Sequence, residues 1–130
     1  MLPRILIVDD DPAMLVAIAR EIRTLADAHL ARDLHDATSL IFHHEYALVL
    51  VDERIGNGCG RDFLGLVRIR SMQTRRILMC LPENVRREPN PSWEVLLFKP
   101  FTSAELRYLV EDVLRSVPVR MFSPDEGKDV

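Results

Sequence analysis

Short, almost purely apolar segments recur along the chain, and they constrain its fold more than any other feature of the sequence. The clearest are Ile5–Val8, Ala47–Val51, Ile77–Leu81 and Val95–Phe98. Segments of this length and composition are typical of strands that are buried on both faces of a parallel sheet. A weaker strand candidate, His29–Arg32, lies between the first two. The sequence therefore predicts a buried sheet of up to five strands.

Amphipathic segments of helical length separate these strands, and two of them carry clear end signals. Asp11 and Pro12 are typical of an N-cap followed by the first helical residue. Near the end of the chain, Thr102 and Glu105 have the spacing of a capping box, and the apolar stripe that follows runs until Pro118. We therefore predict helices after the first strand and after the last.

Two further helices are predicted over Ala37–His43 and Asp62–Arg70. Strands that alternate with helices in this way favour a three-layer α/β sandwich with a parallel sheet in the middle. We expect one folded domain over residues 1–118, followed by a polar, flexible tail over residues 119–130.

Composition narrows the class of function. The chain has 130 residues, 48% of them hydrophobic and 28% charged, which suits one globular domain with its own core. The net charge of −3 gives no basic field for nucleic acid. The two cysteines lack the spacing of a metal site, and no apolar segment has the length of a membrane span. We therefore expect a cytoplasmic protein that binds neither DNA nor membranes.

Charged side chains follow three of the apolar segments, at the point where each predicted strand ends. Asp9, Asp10 and Asp11 follow the first strand, Asp52 follows the segment at 47–51, and Lys99 follows the last strand. In open parallel sheets, ligands bind beyond the carboxyl ends of the strands. Clustered carboxylate oxygens are the ligands that Mg²⁺ prefers. The sequence therefore predicts a Mg²⁺ site at this edge, with a lysine opposite that can neutralise a bound anion.

Three motifs in this order resemble the receiver domain of two-component response regulators. They are VDD at Val8–Asp10, LVLVD at Leu48–Asp52 with Gly60 eight residues later, and FKPF at Phe98–Phe101 before a capped helix. The resemblance covers roughly Arg4–Val117. It implies the flavodoxin-like arrangement, a five-stranded parallel sheet of order 2-1-3-4-5.

The resemblance also implies a role for each matching residue. Asp52 corresponds to the phosphorylated aspartate and also contributes to the metal site. Asp10 corresponds to a direct Mg²⁺ ligand, and Asp9 to its acidic neighbour. Arg54 lies where a backbone carbonyl completes the metal site. Lys99 corresponds to the lysine that pairs with the phosphoryl group, and its bond to the following proline is a common cis peptide bond in the family.

The sequence departs from the family pattern on the fourth and fifth strands. Leu81 replaces the Ser or Thr whose hydroxyl binds the phosphoryl group, unless a bulge brings Cys80 to that place. Pro82 removes a backbone N–H donor, and Leu96 replaces the aromatic switch residue. Because the segment Pro82–Glu94 contains three prolines, we expect the fourth helix of the family to be short or missing.

The preferred hypothesis is a stand-alone, atypical receiver that accepts a phosphoryl group on Asp52 in the presence of Mg²⁺. The resemblance implies a histidine kinase or a histidine phosphotransfer protein as donor, an unknown downstream protein as output, and no turnover of a substrate. It leaves homodimerisation open. The first alternative is a pseudo-receiver that binds proteins independently of phosphorylation. The second is a haloacid-dehalogenase-like phosphatase, suggested by Asp9-x-Asp11.

Three smaller predictions concern the surroundings of the site. The Arg54 guanidinium could reach the phosphoryl group or pair with an acid at the surface, and we favour the surface. Trp93 could fill the core or anchor a partner, and we favour the core. Gly56, Gly58 and Gly60 predict a pliant loop after the acceptor strand.

Overall fold

The computed structural model describes residues 1–116. The predicted helix stop at Pro118, the domain boundary there and the polar tail over residues 119–130 lie outside the described residues. The elements follow in this order: β1 (Arg4–Val8), α1 (Pro12–Ile22), β2 (Asp27–Ala31), α2 (Leu34–His43), β3 (Leu48–Asp52), β4 (Arg54–Ile55), β5 (Gly58–Cys59), α3 (Gly60–Arg70), β6 (Arg75–Cys80), a 3-10 turn (Pro82–Asn84), β7 (Val95–Phe98) and α4 (Ser103–Arg115).

Five of the strands form one parallel sheet in the order β2-β1-β3-β6-β7. With the two-residue strands β4 and β5 left out, this is the predicted order 2-1-3-4-5. The predicted flavodoxin-like, three-layer fold is therefore confirmed. Because β3 lies at the centre of the sheet, its last residue, Asp52, lies at the middle of the carboxyl edge.

A separate hydrophobic cluster covers each face of the sheet, because alternate residues of a strand point to opposite faces. On one face the strands pack against α1 and α4, through side chains such as Ile18 and Val110. On the other face they pack against α2 and α3, through side chains such as Ile41 and Leu64. The strands β1 and β3 are almost fully buried, as their continuous apolar sequences predict.

The predicted N-caps of the first and last helices are confirmed. Asp11 accepts hydrogen bonds from the backbone N–H groups of the first turn of α1. Thr102 and Glu105 form the reciprocal capping box of α4. The predicted start of the second helix was wrong by three residues, because Asp33 caps α2 by accepting a hydrogen bond from Asp36 N at 2.7 Å.

The fourth strand of the sheet lies two residues earlier than predicted at its start and one residue earlier at its end. It begins at Arg75, because Arg75 and Arg76 pair with β3 and are buried, at 8% and 5% exposure. Glu94 compensates the charge of Arg75, since its Oε1 accepts from Arg75 Nε at 3.0 Å, and the same oxygen accepts from the backbone N–H of Arg76 at 3.1 Å. The guanidinium of Arg76 donates to the backbone carbonyls of Ser92 and Thr74. The register of β6 is continuous through Cys80, so the alternative of a bulge there is wrong.

The helix expected between the fourth and fifth strands is reduced to the single 3-10 turn Pro82–Asn84. The residues that follow, up to Glu94, contain no helix. Trp93 is partly buried and packs against the cluster on the α2–α3 face, and the guanidinium of Arg61 lies 5.5 Å from its ring centroid. The proline-rich segment thus shortens the helix as predicted, and Trp93 fills part of the space.

The loop after β3, whose glycines predicted pliancy, forms a short antiparallel hairpin. Strands β4 and β5 pair antiparallel, and Gly56 in the turn between them adopts a positive φ of 58°. Gly60 then opens α3, two residues earlier than predicted. A Cβ at Gly60 would lie 2.0 Å from the carbonyl oxygen of Asp52, so this contact requires glycine.

Within residues 1–116, none of the helices combines the length and the apolar composition that a membrane crossing demands.

Candidate functional site

The site is built around Asp52, whose backbone is fixed by the end of the central strand. Asp52 is 6% exposed. Its Oδ2 accepts a hydrogen bond from the backbone N–H of Arg54 at 3.2 Å. Its Oδ1 contacts the amine of Lys99 in an ion pair. A buried carboxylate at this position needs such partners, because an unpaired buried charge is strongly unfavourable.

Lys99 reaches Asp52 from the edge strand of the sheet, across the end of β6. Its backbone N–H donates to Cys80 O at 2.9 Å, which holds the residue directly after β7. The peptide bond between Lys99 and Pro100 is cis, as predicted. Burial by itself would lower the pKa of Lys99, but the hydrogen bond to Asp52 and the charges of the nearby carboxylates raise it. Lys99 is therefore a cation at neutral pH.

Asp9 supplies a second buried carboxylate, directly after β1. It is 4% exposed, and its Oδ1 accepts a hydrogen bond from Asp11 N at 3.0 Å. Burial raises the pKa of Asp9, and the negative charge of Asp52 raises it further. The two carboxylates are thus close enough to repel each other, and the single charge of Lys99 does not offset both.

The other predicted ligands are arranged differently from these two. Asp10 is exposed, and its Oδ2 accepts a hydrogen bond from Gly56 N at 2.8 Å, so it holds the turn of the β4–β5 hairpin. Asp11 is the cap of α1, as predicted, and so is not free to act as the second acid of a phosphatase pair. The side chain of Arg54 is exposed and, within residues 1–116, forms no salt bridge with Asp11.

The donor set fits a hard divalent cation. Mg²⁺ typically takes one or two protein carboxylates and keeps several waters, and Asp9 and Asp52 supply two that repel each other in its absence. Within residues 1–116, no three side chains of the His, Cys, Asp or Glu type are grouped closely enough to hold a metal. Asp10 accepts from Gly56 N through Oδ2, and its Oδ1 is a further oxygen that could join the set.

Sequence reasoning missed the role of Glu53, which follows Asp52. Its Oε2 accepts from Leu81 N at 2.9 Å, and its Oε1 accepts from the side-chain amide of Asn84 at 2.6 Å. The carboxylate of Glu53 thus binds the corner after β6, which contains the predicted switch positions Leu81 and Pro82. The only signal in the sequence was an acid directly after Asp52.

The three positions at which the sequence predicted a loss of switch residues are Leu81, Pro82 and Leu96. Leu81 comes directly after β6, with its side chain 39% exposed. Pro82 begins the 3-10 turn. Leu96 lies on β7, is partly buried and packs against the cluster on the α2–α3 face. These three side chains carry no hydroxyl, and the N–H of Leu81 already donates to Glu53 Oε2.

Comparison with known proteins shows similarity of structure at low sequence identity. No family model and no curated protein match the sequence. A CheY-like receiver domain protein from Methanospirillum hungatei is 18% identical with a TM-score of 0.78, and the match covers 100% of both chains. The receiver domain of the Francisella response regulator 1452 is 22% identical, with a TM-score of 0.77 over 87% of this chain and 97% of its own. The chemotaxis response regulator CheY4 of Vibrio cholerae is 17% identical, with a TM-score of 0.74 over 87% of this chain and 99% of its own. The chain therefore has the fold of response regulator receiver domains.

Proposed function

We propose that this protein is an atypical receiver that accepts a phosphoryl group on Asp52 from a histidine kinase or a histidine phosphotransfer protein. One observation carries the proposal. The buried carboxylate of Asp52, at the end of the central strand, is paired with Lys99 and lies near the buried carboxylate of Asp9. A nucleophile, a fixed cation and a second acid at one strand edge are what phosphoryl transfer to a carboxylate requires.

The reaction is a displacement at phosphorus. A carboxylate oxygen of Asp52 attacks the phosphorus of the donor, a new O–P bond forms, and the bond from phosphorus to the donor breaks. The donor group leaves with the electron pair. Asp52 needs no general base, because a carboxylate, unlike a hydroxyl, has no proton to lose before it attacks. Lys99 then binds the new phosphoryl oxygens in place of the carboxylate, which stabilises the product.

A divalent ion fits this scheme at the two carboxylates. Asp9 and Asp52 would hold Mg²⁺, with Asp10 and the backbone carbonyl of Arg54 as further ligands. The ion would neutralise charge on the phosphoryl oxygens. Its binding would also relieve the repulsion that raises the pKa of Asp9.

Output would pass through contacts with another protein. The chain would accept one phosphoryl group and would not turn over a substrate. The free thiols of Cys59 and Cys80 suit a reducing compartment, so we place this signalling step in the cytoplasm.

Intact-mass measurement tests the proposal. We expect one phosphate adduct after incubation with acetyl phosphate and Mg²⁺, and none after chelation of the metal. Asp52→Asn should abolish the adduct. Asp62→Asn, which neutralises an exposed acid in the first turn of α3, should leave it unchanged and serves as the matched control. An adduct that survives Asp52→Asn would show that Asp52 is not the acceptor.

The second candidate is a pseudo-receiver that binds a protein partner without phosphorylation. Glu53 favours it, because its carboxylate already occupies the N–H of Leu81 beside the acceptor. The shortened segment after β6 also changes the surface that receivers use for signalling. The absence of any adduct on the wild-type protein, with acetyl phosphate and with phosphorylated donor proteins alike, would favour this candidate.

A further inference from the structure

The carboxylate of Glu53 is the part of its residue that is free to move. The backbone is fixed on both sides, since Glu53 N donates to Met79 O at 2.9 Å and Glu53 O accepts from Gly60 N at 2.9 Å. The side chain is partly exposed and, among residues 1–116, bonds only to the corner after β6, through Leu81 N and the amide of Asn84. A change at this side chain therefore alters the corner and leaves the strand in place.

The corner itself is held by few other bonds. All residues from Leu81 to Asn90 are exposed. Within the 3-10 turn, Asn84 N donates to Leu81 O at 3.0 Å, and Arg61 Nη2 donates to Asn84 O at 3.0 Å. The two bonds to Glu53 are thus a main attachment of this turn to the central strand, since exposed segments with few bonds open at low free energy.

A phosphoryl group on Asp52 would compete with Glu53 in charge and in hydrogen bonding. Glu53 directly follows Asp52, whose Oδ1 is ion-paired with the amine of Lys99. A phosphoryl group brings about two negative charges to that cation. It also needs N–H donors, and Pro82 has none.

A second position is available to the carboxylate of Glu53. Glu53 lines a cavity of about 370 Å³ between the β4–β5 hairpin and the 3-10 turn. Three arginines, Arg54, Arg61 and Arg86, line the same cavity. A carboxylate that turned into it would exchange two neutral donors for a guanidinium, and bonds to charged donors are the stronger kind.

We propose that Glu53 is a positioning residue that latches the Pro82–Asn84 turn in the unphosphorylated state, and that phosphorylation of Asp52 displaces its carboxylate and releases the turn. Release of the turn then replaces the switch of typical receivers, whose hydroxyl and aromatic residues are Leu81 and Leu96 in this chain. This inference rests on the proposed function, because it requires a phosphoryl group on Asp52.

Amide NMR of the full chain in Mg²⁺, with and without beryllofluoride as phosphoryl analogue, tests the latch. On addition of beryllofluoride we expect the backbone resonance of Leu81 and the side-chain amide of Asn84 to shift together with that of Asp52. In Glu53→Ala, both corner resonances should already lie near their beryllofluoride-bound positions. Because no latch must then be broken, the variant should bind beryllofluoride about threefold to tenfold more tightly, the equivalent of one hydrogen bond.

Two further variants separate the latch from a general effect of charge. Glu53→Gln keeps one carbonyl acceptor, so the Leu81 resonance should stay near its wild-type position while the side-chain amide of Asn84, which loses its acceptor, shifts. Glu83→Ala removes an exposed acid of the same turn and should behave as the wild type does. A beryllofluoride shift at Asp52 with Leu81 and Asn84 unchanged would overturn the latch alone. No shift at Asp52 would overturn the proposed function and the latch with it.

Discussion

Adding one methyl group at Gly60 should destabilise the packing of α3 on the end of β3, whereas adding it at Gly65 should not. Both glycines lie in α3, Gly60 as its first residue and Gly65 in its interior. A Cβ at Gly60 would lie 2.0 Å from the carbonyl oxygen of Asp52 and 2.9 Å from its carbonyl carbon. Because the obstructing atoms belong to the backbone, rotation of a side chain cannot relieve the clash.

The size of the effect follows from these contacts. Gly60→Ala must push α3 away from β3 and weaken the bond from Gly60 N to Glu53 O, at 2.9 Å. Overpacking plus one hydrogen bond should lower the free energy of unfolding by about 3–4 kcal/mol. A Cβ at Gly65 meets nothing within 4 Å. Gly65→Ala should therefore raise the free energy of unfolding by about 0.5–1 kcal/mol, through helix propensity.

Urea denaturation followed by circular dichroism measures both values under the same conditions. The two variants carry the same chemical change in the same helix, so their difference reports the contact with Asp52. A Gly60→Ala protein as stable as Gly65→Ala would refute the close packing of α3 on the acceptor strand.

Two further predictions concern buried charges. Because burial and a neighbouring carboxylate raise the pKa of Asp9, its ionised form destabilises the fold, so Asp9→Asn should raise the urea midpoint at pH 7 without Mg²⁺. That gain should disappear as the pH falls below the ordinary Asp value of 3.8, where the wild type is also neutral, and a gain independent of pH would contradict it. Glu94→Ala leaves Arg75 and Arg76 without their shared acceptor and should lower the free energy of unfolding by about 2–4 kcal/mol. The exposed control Glu88→Ala should change it by less than about 0.5 kcal/mol, and equal effects in the two variants would refute the buried pairing.

The parts of the fold that sequence predicted well depend on local chemistry. Four apolar segments correspond to strands, because a strand buried on both faces needs nothing but apolar side chains. The Asp11 cap and the Thr102–Glu105 capping box are interactions between near neighbours in the chain, so the sequence shows both partners. The loss of the fourth helix also follows locally, from proline.

The parts that sequence missed depend on partners far away in the chain. Arg75 and Arg76 look unsuitable for a buried strand until Glu94, 19 and 18 residues later, supplies the acceptor. Glu53 bonds to Leu81 and Asn84, 28 and 31 residues away. No pattern within a short window predicts such pairs.

The sequence likewise predicted one part of the candidate site well and another part less well. The motifs placed Asp9, Asp52 and Lys99 at one edge, and the structure brings them together. The sequence predicted Asp10 and the Arg54 carbonyl as further ligands from the resemblance. In the structure Asp10 bonds to the hairpin turn, whose geometry depends on the positive φ of Gly56. The metal ligands themselves stay a prediction.

A crystal structure of the protein with Mg²⁺ and beryllofluoride tests the central claim most directly. We predict one ion shared by the carboxylates of Asp9 and Asp52, with beryllofluoride on Asp52 and the amine of Lys99 turned onto its fluorides. An ion bound away from Asp9 and Asp52, with Asp52 still paired to Lys99 and free of beryllofluoride, would contradict the account.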